Sequence, residues 1–392
     1  MDTEAQYRAD LQAFLTQRVI PQVAQWEREQ TFPRAIIREL GQQGFFRACL
    51  HATDLKQPLQ MRMFRILIEE LAKTYCFGLT LTISMHVGVF LPVIIRLAQP
   101  QLRATVIEQA LDGDILGTIA ITEDVAAGSD FMGMASTVHY EDDTLVLHGQ
   151  KHYITNAAVA DYVVTFARWR TGRHFANFSA ILVPTAHADV HCVPIPMAIM
   201  KTAVISHIDF KQVQLPAHYL LGRKEFGMRY FLQHITTEHV SGGIWAAAVA
   251  EQCLVQAQRN AFQRHIGTET LWEKSSVRHR IAQAVTQITM LHTLVNHVIE
   301  KTVEQGTIDT LDSAVLKAAV APMMETVIGT CLQLQGARGL EAESPLLRLL
   351  NEFRVFGIAG GSTETALDII AEQWAQYAMQ LSMSQPDMQV AL

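Results

Sequence analysis

The period of the apolar residues changes twice along the chain, and that double switch limits the possible architecture more than any other feature. Up to about residue 115 the apolar positions recur at three and four, as in Leu11, Phe14, Leu15 and Val19, or Phe64, Leu67, Ile68 and Leu71. That is the spacing of one buried helix face. Proline and short polar residues break the pattern at 29–33 and 51–58, which read as loops. After Ile115 the period drops to two. Residues 137–140 and 145–148 flank Asp142 and Asp143 and predict a hairpin. Segments 162–168, 178–183, 190–195 and 205–213 are rich in β-branched and aromatic residues, with Pro184, Pro194 and Pro216 at or near their ends. From about Phe226 the helical period returns and runs to Gln380, broken at Gly267, at Gly306 and over 336–345. Helices that flank the strands, rather than alternate with them, argue against a parallel sheet and predict an α+β chain. The expected domains are a helical one over 1–117, an antiparallel β domain over 118–222 and a second helical one over 223–392.

Composition removes several function classes. With 392 residues, 49% of them apolar, the chain can bury a sizeable core across these domains. The 31 Lys and Arg against 38 Asp and Glu leave a net charge of −7 without a basic run, so nucleic acid is not an expected partner. Five well-separated cysteines without a CxxC pair suggest neither a disulfide framework nor a metal site, and they suit a reducing compartment. The acidic, polar first residues lack the pattern of a signal or transit peptide, and a cytoplasmic location is expected. The apolar runs 88–98 and 244–250 fall short of the ~20 residues of a membrane span and read as buried helix.

Three segments could carry chemistry. Ala120-Ile-Thr-Glu-Asp-Val-Ala-Ala-Gly-Ser-Asp130 lies where helices give way to strands, and its small residues would let backbone amides and hydroxyls approach a ligand. It also suits a tight loop capped by Ser129 or Asp130. Gly149-Gln-Lys-His-Tyr-Ile-Thr-Asn156 presents Tyr153 and Thr155 on one side of a strand, an aromatic plane beside a hydroxyl; an ordinary strand face would look alike. Leu350 to Glu364 runs a helical pattern into Ala359-Gly-Gly-Ser362, a helix start with free N–H groups that suits a phosphate or a polarised carbonyl, or a plain capped break.

In this order, over nearly the whole chain, these segments resemble the acyl-CoA dehydrogenase family. Ala120 to Asp130 matches the family's small-aliphatic-Thr-Glu stretch ending in Gly-Ser-Asp, with one extra residue. Lys151 to Asn156 matches its Lys-x-aromatic-Ile-Thr-Asn strand. Ile208-Asp-Phe-Lys-Gln-Val-Gln-Leu-Pro216 followed by Leu220-Leu-Gly222 looks like its exit from the β domain, and Gln333-Leu-Gln-Gly-Ala-Arg-Gly339 followed by Glu343-Ser-Pro345 resembles its Gln-x-x-Gly-Gly-x-Gly stretch, with Ala337 for the second glycine. The resemblance implies bound FAD. Ile121 and Thr122 would lie at the pyrimidine end and Ser129 near the pyrophosphate. Tyr153 would lie along the ring, with Thr155 near N5, while Ser362 would complete the phosphate contacts beside a phosphate-side Glu364. Arg264 and Gln333, with Ala337, would reach the FAD of a neighbouring subunit, implying a homo-oligomer, usually a tetramer. An electron-transfer flavoprotein or similar acceptor would take the electrons.

Desaturating an acyl thioester at Cα and Cβ needs a carboxylate for the α-proton. Most of the family place it where this sequence has Gly360. A branch resembling isovaleryl-CoA and long-chain acyl-CoA dehydrogenases carries it on the first helix after the β domain, and that position is Glu238 here. Glu238 shares a helix face with Phe231 and Ile235 and with Ser241, Gly242 and Trp245. Apolar neighbours would raise its pKa and small ones would leave room for substrate; a local pairing with His234 or His239 is the other reading. The Gly360 N–H would polarise the thioester carbonyl, and Glu364 is a weaker candidate base. Thr236 and His239 stand where CoA-binding members often have Asp and Arg, which points toward a carrier-protein tether for which the basic stretch Arg168 to Arg173 is a candidate contact or a charged loop. An O2-using flavin oxidase or monooxygenase of the same superfamily, or a non-catalytic flavoprotein, are the alternatives.

Overall fold

A computed structural model describes residues 3–51, 54–169, 177–342 and 344–384. The first block is helical: α1 (Thr3–Phe14), α2 (Ile20–Glu29), α3 (Arg34–Gln42), α4 (Met61–Ala72), α5 (Phe77–Ile83), α6 (Leu91–Leu97) and α7 (Pro100–Leu111). A π-helical stretch, Ser84–Phe90, joins α5 to α6. The helix therefore runs on through Phe77–Leu97, long and apolar enough to cross a membrane, as is Thr310–Leu340. The expectation of a too-short run fails for 88–98, because helix continues upstream of residue 88 through residues that are not all apolar; 244–250 lies in no such segment, and both runs are largely buried helix, as expected. Of the first stretch 89% is buried inside the protein, and its polar groups are satisfied there: Thr82 donates to the Gly78 carbonyl at 2.7 Å, and His86 bridges the Ala110 carbonyl and the Gly117 N–H.

The middle of the chain forms β1 (Gly117–Ala120), β2 (Thr137–Glu141), β3 (Thr144–Thr155), β4 (Tyr162–Trp169), β5 (Phe178–Pro184), β6 (Val190–Pro194), β7 (Ile205–Pro216) and β8 (Leu220–Leu221). The order across the sheet is β6-β7-β3-β2-β4-β5-β8, with β1 also on β4. The two-residue turn between β2 and β3 places Asp142 at φ 51°, as a hairpin turn requires. The sheet is mixed, not purely antiparallel, since β1 and β2 both run parallel to β4. The cause is their placement end to end: β1 pairs with Tyr162 to Thr165 and β2 with Arg168 and Trp169, so the chain between 120 and 137 leaves the sheet and returns to the same edge. Both faces are covered. Val164, Phe166, Ala180 and Leu182 pack toward the helices, while Val163, Ala167, Ile181 and Val183 join a second core within the sheet, which is why β4 and β5 read as nearly unbroken apolar runs.

The last block comprises α8 (Gly227–Gln263), α9 (Ser275–Gln305), α10 (Thr310–Gln335), α11 (Pro345–Glu352) and α12 (Thr363–Ser384). Gly306 closes α9 in the left-handed conformation at φ 73°. A buried knot ties this block to the other two. Arg348 on α11 contacts both Glu352 and Glu27 at 3.2 Å and donates to the Tyr75 carbonyl at 2.9 Å, while Thr202 donates to Glu27. Burial pushes the Glu352 carboxyl up to about 8, with Arg348 opposing and Glu27 adding to the rise. An acid whose pKa is higher folded than unfolded holds its proton in the native state only, so stability falls as pH rises from the ordinary carboxylate range toward 8. Glu352→Gln should flatten that decline, read as a urea unfolding midpoint that gains on the parent more at pH 8 than at pH 5.

Candidate active site

Segment 121–136, which leaves the sheet between β1 and β2, is held by buried charges. The Glu123 carboxylate accepts from the Ala135 and Ser136 N–H groups at 2.5 and 3.1 Å and from Lys151 Nζ at 2.9 Å; Lys151 also donates to the Ile121 carbonyl at 2.9 Å. Both side chains are almost wholly buried, at 3% and 0% exposure. Burial alone would raise Glu123, but Lys151 and the N–H donors outweigh it and hold the carboxyl low. Arg168 adds three 3.0 Å bonds to the Phe131, Met132 and Met134 carbonyls. It is a buried anchor of this segment, not part of a surface basic patch; Arg170 and Arg173 lie outside the described residues, as does Glu343. Asp130 accepts from the Gly133 N–H and caps a turn.

The strand opposite also departs from plain alternation. Between Lys151 and Ile154 strand β3 carries one more residue than β7, and Tyr153 sits at φ 56° in this bulge. Tyr153 and Thr155 reach the same cleft through the bulge, which resets the side-chain direction, rather than through an even two-residue step. Tyr153 is 60% exposed.

The cleft has a volume of about 950 Å³ and lies between the β domain, α5 with its π-helical continuation, α8, α10 and the turn before α12. Ile121, Thr122, Ser129, Tyr153, Thr155, Glu238, Gly360 and Ser362 all line it. The hydroxyls of Thr122, Ser129 and Thr155 have no hydrogen-bond partner among the described residues. Helix α8 contributes His234, Ile235, Glu238, Ser241, Gly242 and Trp245, and α10 contributes Thr310, Ser313, Ala314 and Lys317. Each set follows the three-and-four spacing of one helix face. Ser84 and Ser241 bond to each other at 2.5 Å. Trp245 packs against Phe77, Phe353 and Phe356 with ring centres 4.4–5.5 Å apart.

Glu238 faces Gly360. A Cβ built on Gly360 would stand 2.6 Å from Glu238 Oε1, and Gly360 adopts φ 69°, so a side chain there would push the Glu238 carboxylate from its place and strain the backbone. Burial pushes the Glu238 carboxyl above its ordinary range, with Lys317 opposing. The alternative pairing with His239 does not occur: His239 Nε2 donates to the Gly360 carbonyl at 2.7 Å, leaving Nδ1 to accept from the Ser313 hydroxyl at 2.8 Å. Burial pulls His239 down to about 4 and His234 to about 3, so both are neutral at pH 7. Lys317, pulled down to about 8 by burial with Glu238 opposing, donates to the Ala359 carbonyl.

At the cleft lining, Ser362 also caps α12 by accepting from the Thr365 N–H at 3.3 Å. The remaining expected contacts lie elsewhere. Glu364 is exposed, outside the cleft, its carboxyl lowered by its own backbone N–H and by Ser362. Arg264, Gln333 and Ala337 are exposed and outside the cleft lining; Arg264 Nη1 reaches the Gln335 carbonyl at 3.4 Å, which brings the first of them beside the turn that follows Gln333. Lys317 went unremarked in the sequence, although a single lysine within the apolar run Ala314-Val-Leu-Lys-Ala-Ala-Val is a usable signal.

Models of the acyl-CoA dehydrogenase N-terminal, middle and C-terminal domains match residues 1–114, 118–213 and 225–375. The chain belongs to the acyl-CoA dehydrogenase family. Among its curated relatives, the mitochondrial long-chain specific acyl-CoA dehydrogenase of Rattus norvegicus is 25% identical over 94% of this chain and 85% of the relative. The acyl-[acyl-carrier-protein] dehydrogenase MbtN of Mycobacterium sp. (strain MCS) is 24% identical over 89% and 88%. The solved structure of PigA with FAD and proline shares the fold, with a TM-score of 0.89 at 18% identity over 96% of this chain and 98% of that one.

Lys151→Met would leave the Glu123 carboxylate buried without its cation. The expected loss is about 3–5 kcal/mol, measured by urea unfolding, and Glu123→Gln in the same chain should recover part of it.

Proposed function

We propose that this chain is an FAD-dependent dehydrogenase that introduces a Cα=Cβ double bond into an acyl thioester, with Glu238 as the base. The observation that carries the reading is the Glu238 carboxylate set against the missing side chain of Gly360. In a cleft of this width one carboxylate has a place and a second at 360 does not.

The residues fit the cofactor. Unpartnered hydroxyls of Thr122, Ser129 and Thr155 and the ring of Tyr153 at the bulge give a flat, polar-edged group both a surface and donors, and Ser362 with the start of α12 suits its phosphates. Ile121 would meet the pyrimidine end. When bound, FAD supplies a hydride acceptor for the β-hydrogen. Glu238, raised by burial, is matched to taking the α-proton from a weak carbon acid, and the Gly360 N–H would stabilise negative charge developing on the thioester oxygen. Arg264, Gln333 and Ala337, exposed at one corner, would serve a neighbouring subunit's FAD in a homotetramer. Exposed Trp374, Tyr377 and Met379 on α12 and Phe262 on α8 fit such an assembly. Glu364 on the surface suits a phosphate-side role and not a base. An electron-transfer flavoprotein is the proposed acceptor, and the cytoplasm, as a reducing compartment, suits the five unpaired cysteines.

A carrier-protein tether is favoured over free CoA by one feature. The position where a cation would read the nucleotide holds His239, which is neutral and committed to Ser313 and Gly360. Carrier-tethered thioesters should reduce the flavin faster than the matching acyl-CoA.

Glu238→Gln should keep FAD yet slow anaerobic flavin reduction by a thioester about 10²–10⁴-fold, whereas Glu364→Gln stays within about twofold of the parent. Parent-like reduction by Glu238→Gln would falsify the base assignment. The collision at residue 360 makes a second outcome specific: Gly360→Glu alone should depress activity, and Glu238→Gly with Gly360→Glu should exceed Glu238→Gly alone by about tenfold or more, since one carboxylate then occupies the site from its other side.

A further inference from the structure

The turn opposite the base is held from two helices. His239 on α8 donates to the Gly360 carbonyl, and Lys317 on α10 donates to the Ala359 carbonyl. The Ile358 and Ala359 N–H groups still donate to the Val355 carbonyl at 3.0 and 2.7 Å, but beyond them, with Gly360 and Gly361 at φ 69° and 88°, the two consecutive carbonyls are engaged by side chains. Lys317 lies on the α10 face formed with Thr310, Ser313 and Ala314, all of which line the cleft, and its ammonium stands within electrostatic reach of the Glu238 carboxylate.

We propose that Lys317 is a positioning residue for the reaction: it fixes the turn that faces the base through its bond to the Ala359 carbonyl, and its ammonium acts on the Glu238 carboxylate as a nearby charge without bonding to it. This rests on the reading of Glu238 as the base. The physical reason is that a carboxylate in an apolar cleft favours its neutral form, in which it cannot take a proton. Among the described groups Lys317 alone acts on it by charge. The other ionisable groups facing this corner are otherwise placed: His234 and His239 on α8 are neutral, Arg354 in the turn after α11 is paired with Glu325, and Arg96 on α6 faces His234. Burial lowers the Lys317 ammonium itself to about 8, so its charge, and with it the pull on the Glu238 carboxylate, is lost as pH rises through that value, while the neutral amine can still donate to the Ala359 carbonyl.

The test is an infrared titration of the full chain, with the carboxylic-acid band of Glu238 identified by its disappearance in Glu238→Gln. In Lys317→Met the midpoint of that band should rise by about one pH unit or more, and the pH profile of anaerobic flavin reduction should move with it. Lys317→Arg, which keeps the charge, should restore both. A midpoint in Lys317→Met equal to the parent's overturns the inference, as does a reduction rate lowered equally at every pH with the midpoint unmoved, the sign of a purely structural lysine. If Lys317→Met does not accumulate as folded protein, Lys317→Gln is judged by the same midpoint. Loss of the base reading is separately visible: Glu238→Gln would then reduce its flavin normally, while the infrared midpoint would still report whether the two charges are coupled.

Discussion

The cleft depends on one buried ion pair. Glu123 and Lys151 lie on opposite walls of the β-domain side, the first in the segment that leaves the sheet and the second on the strand that bulges beneath it. Two opposite charges at 3% exposure or less are tolerated only when nearly every polar atom is engaged. Here the surplus bonds go to the Ile121 carbonyl and the Ala135 and Ser136 N–H groups, so satisfying the pair also fixes the backbone of residues 121–136. The reward is conformational. With that segment fixed, Thr122 and Ser129 share one cleft lining with Tyr153 and Thr155 without a loop having to be ordered first.

On the helical side the same economy takes another form. Glu238 and Gly360 are complementary positions: a carboxylate from α8 fills the volume that a side chain on the turn would require. Lys317 and His239, on neighbouring helices, engage the two carbonyls of that turn, so the backbone facing the Glu238 carboxylate is positioned from the same two helices. A shift of α8 against α10 would therefore disturb the Glu238 carboxylate and the facing turn together.

Much of this was legible in the chain. The order of helices and strands, the three-and-four spacing that places Glu238 with Ser241, Gly242 and Trp245, and the Gly-Gly-Ser start of α12 are local patterns, and local patterns survive into the structure. What escaped was set by partners distant in sequence. The parallel pairing of β1 and β2 with β4 left no signature in the sequence, because β1 and β2 are only four and five residues long and β4, covered on both faces, reads as an apolar run whichever way its neighbours point. The bulge at Tyr153 depends on register with β7. Arg168 reads as the start of a charged loop until three carbonyls of the 121–136 segment are seen to surround it, and the helix through Phe77–Leu97 reads as short until its polar side chains are seen bonded within it, as Thr82 is, or to neighbouring elements, as Ser84 and His86 are.

By itself the sequence determined which segments form helix and which form strand, that a carboxylate lies on a half-apolar helix face, and that residue 360 carries no side chain, since each of these follows from residue type and spacing over a few turns. Tertiary structure alone decided that Glu238 and Gly360 meet, that Lys317 stands behind both, and that His239 turns to the Gly360 carbonyl rather than to the carboxylate beside it in the chain. Those choices are made by the packing of α8, α10 and the turn before α12 against one another, where burial without water forces each polar atom to find a partner, and no single segment holds the information for which partner that will be.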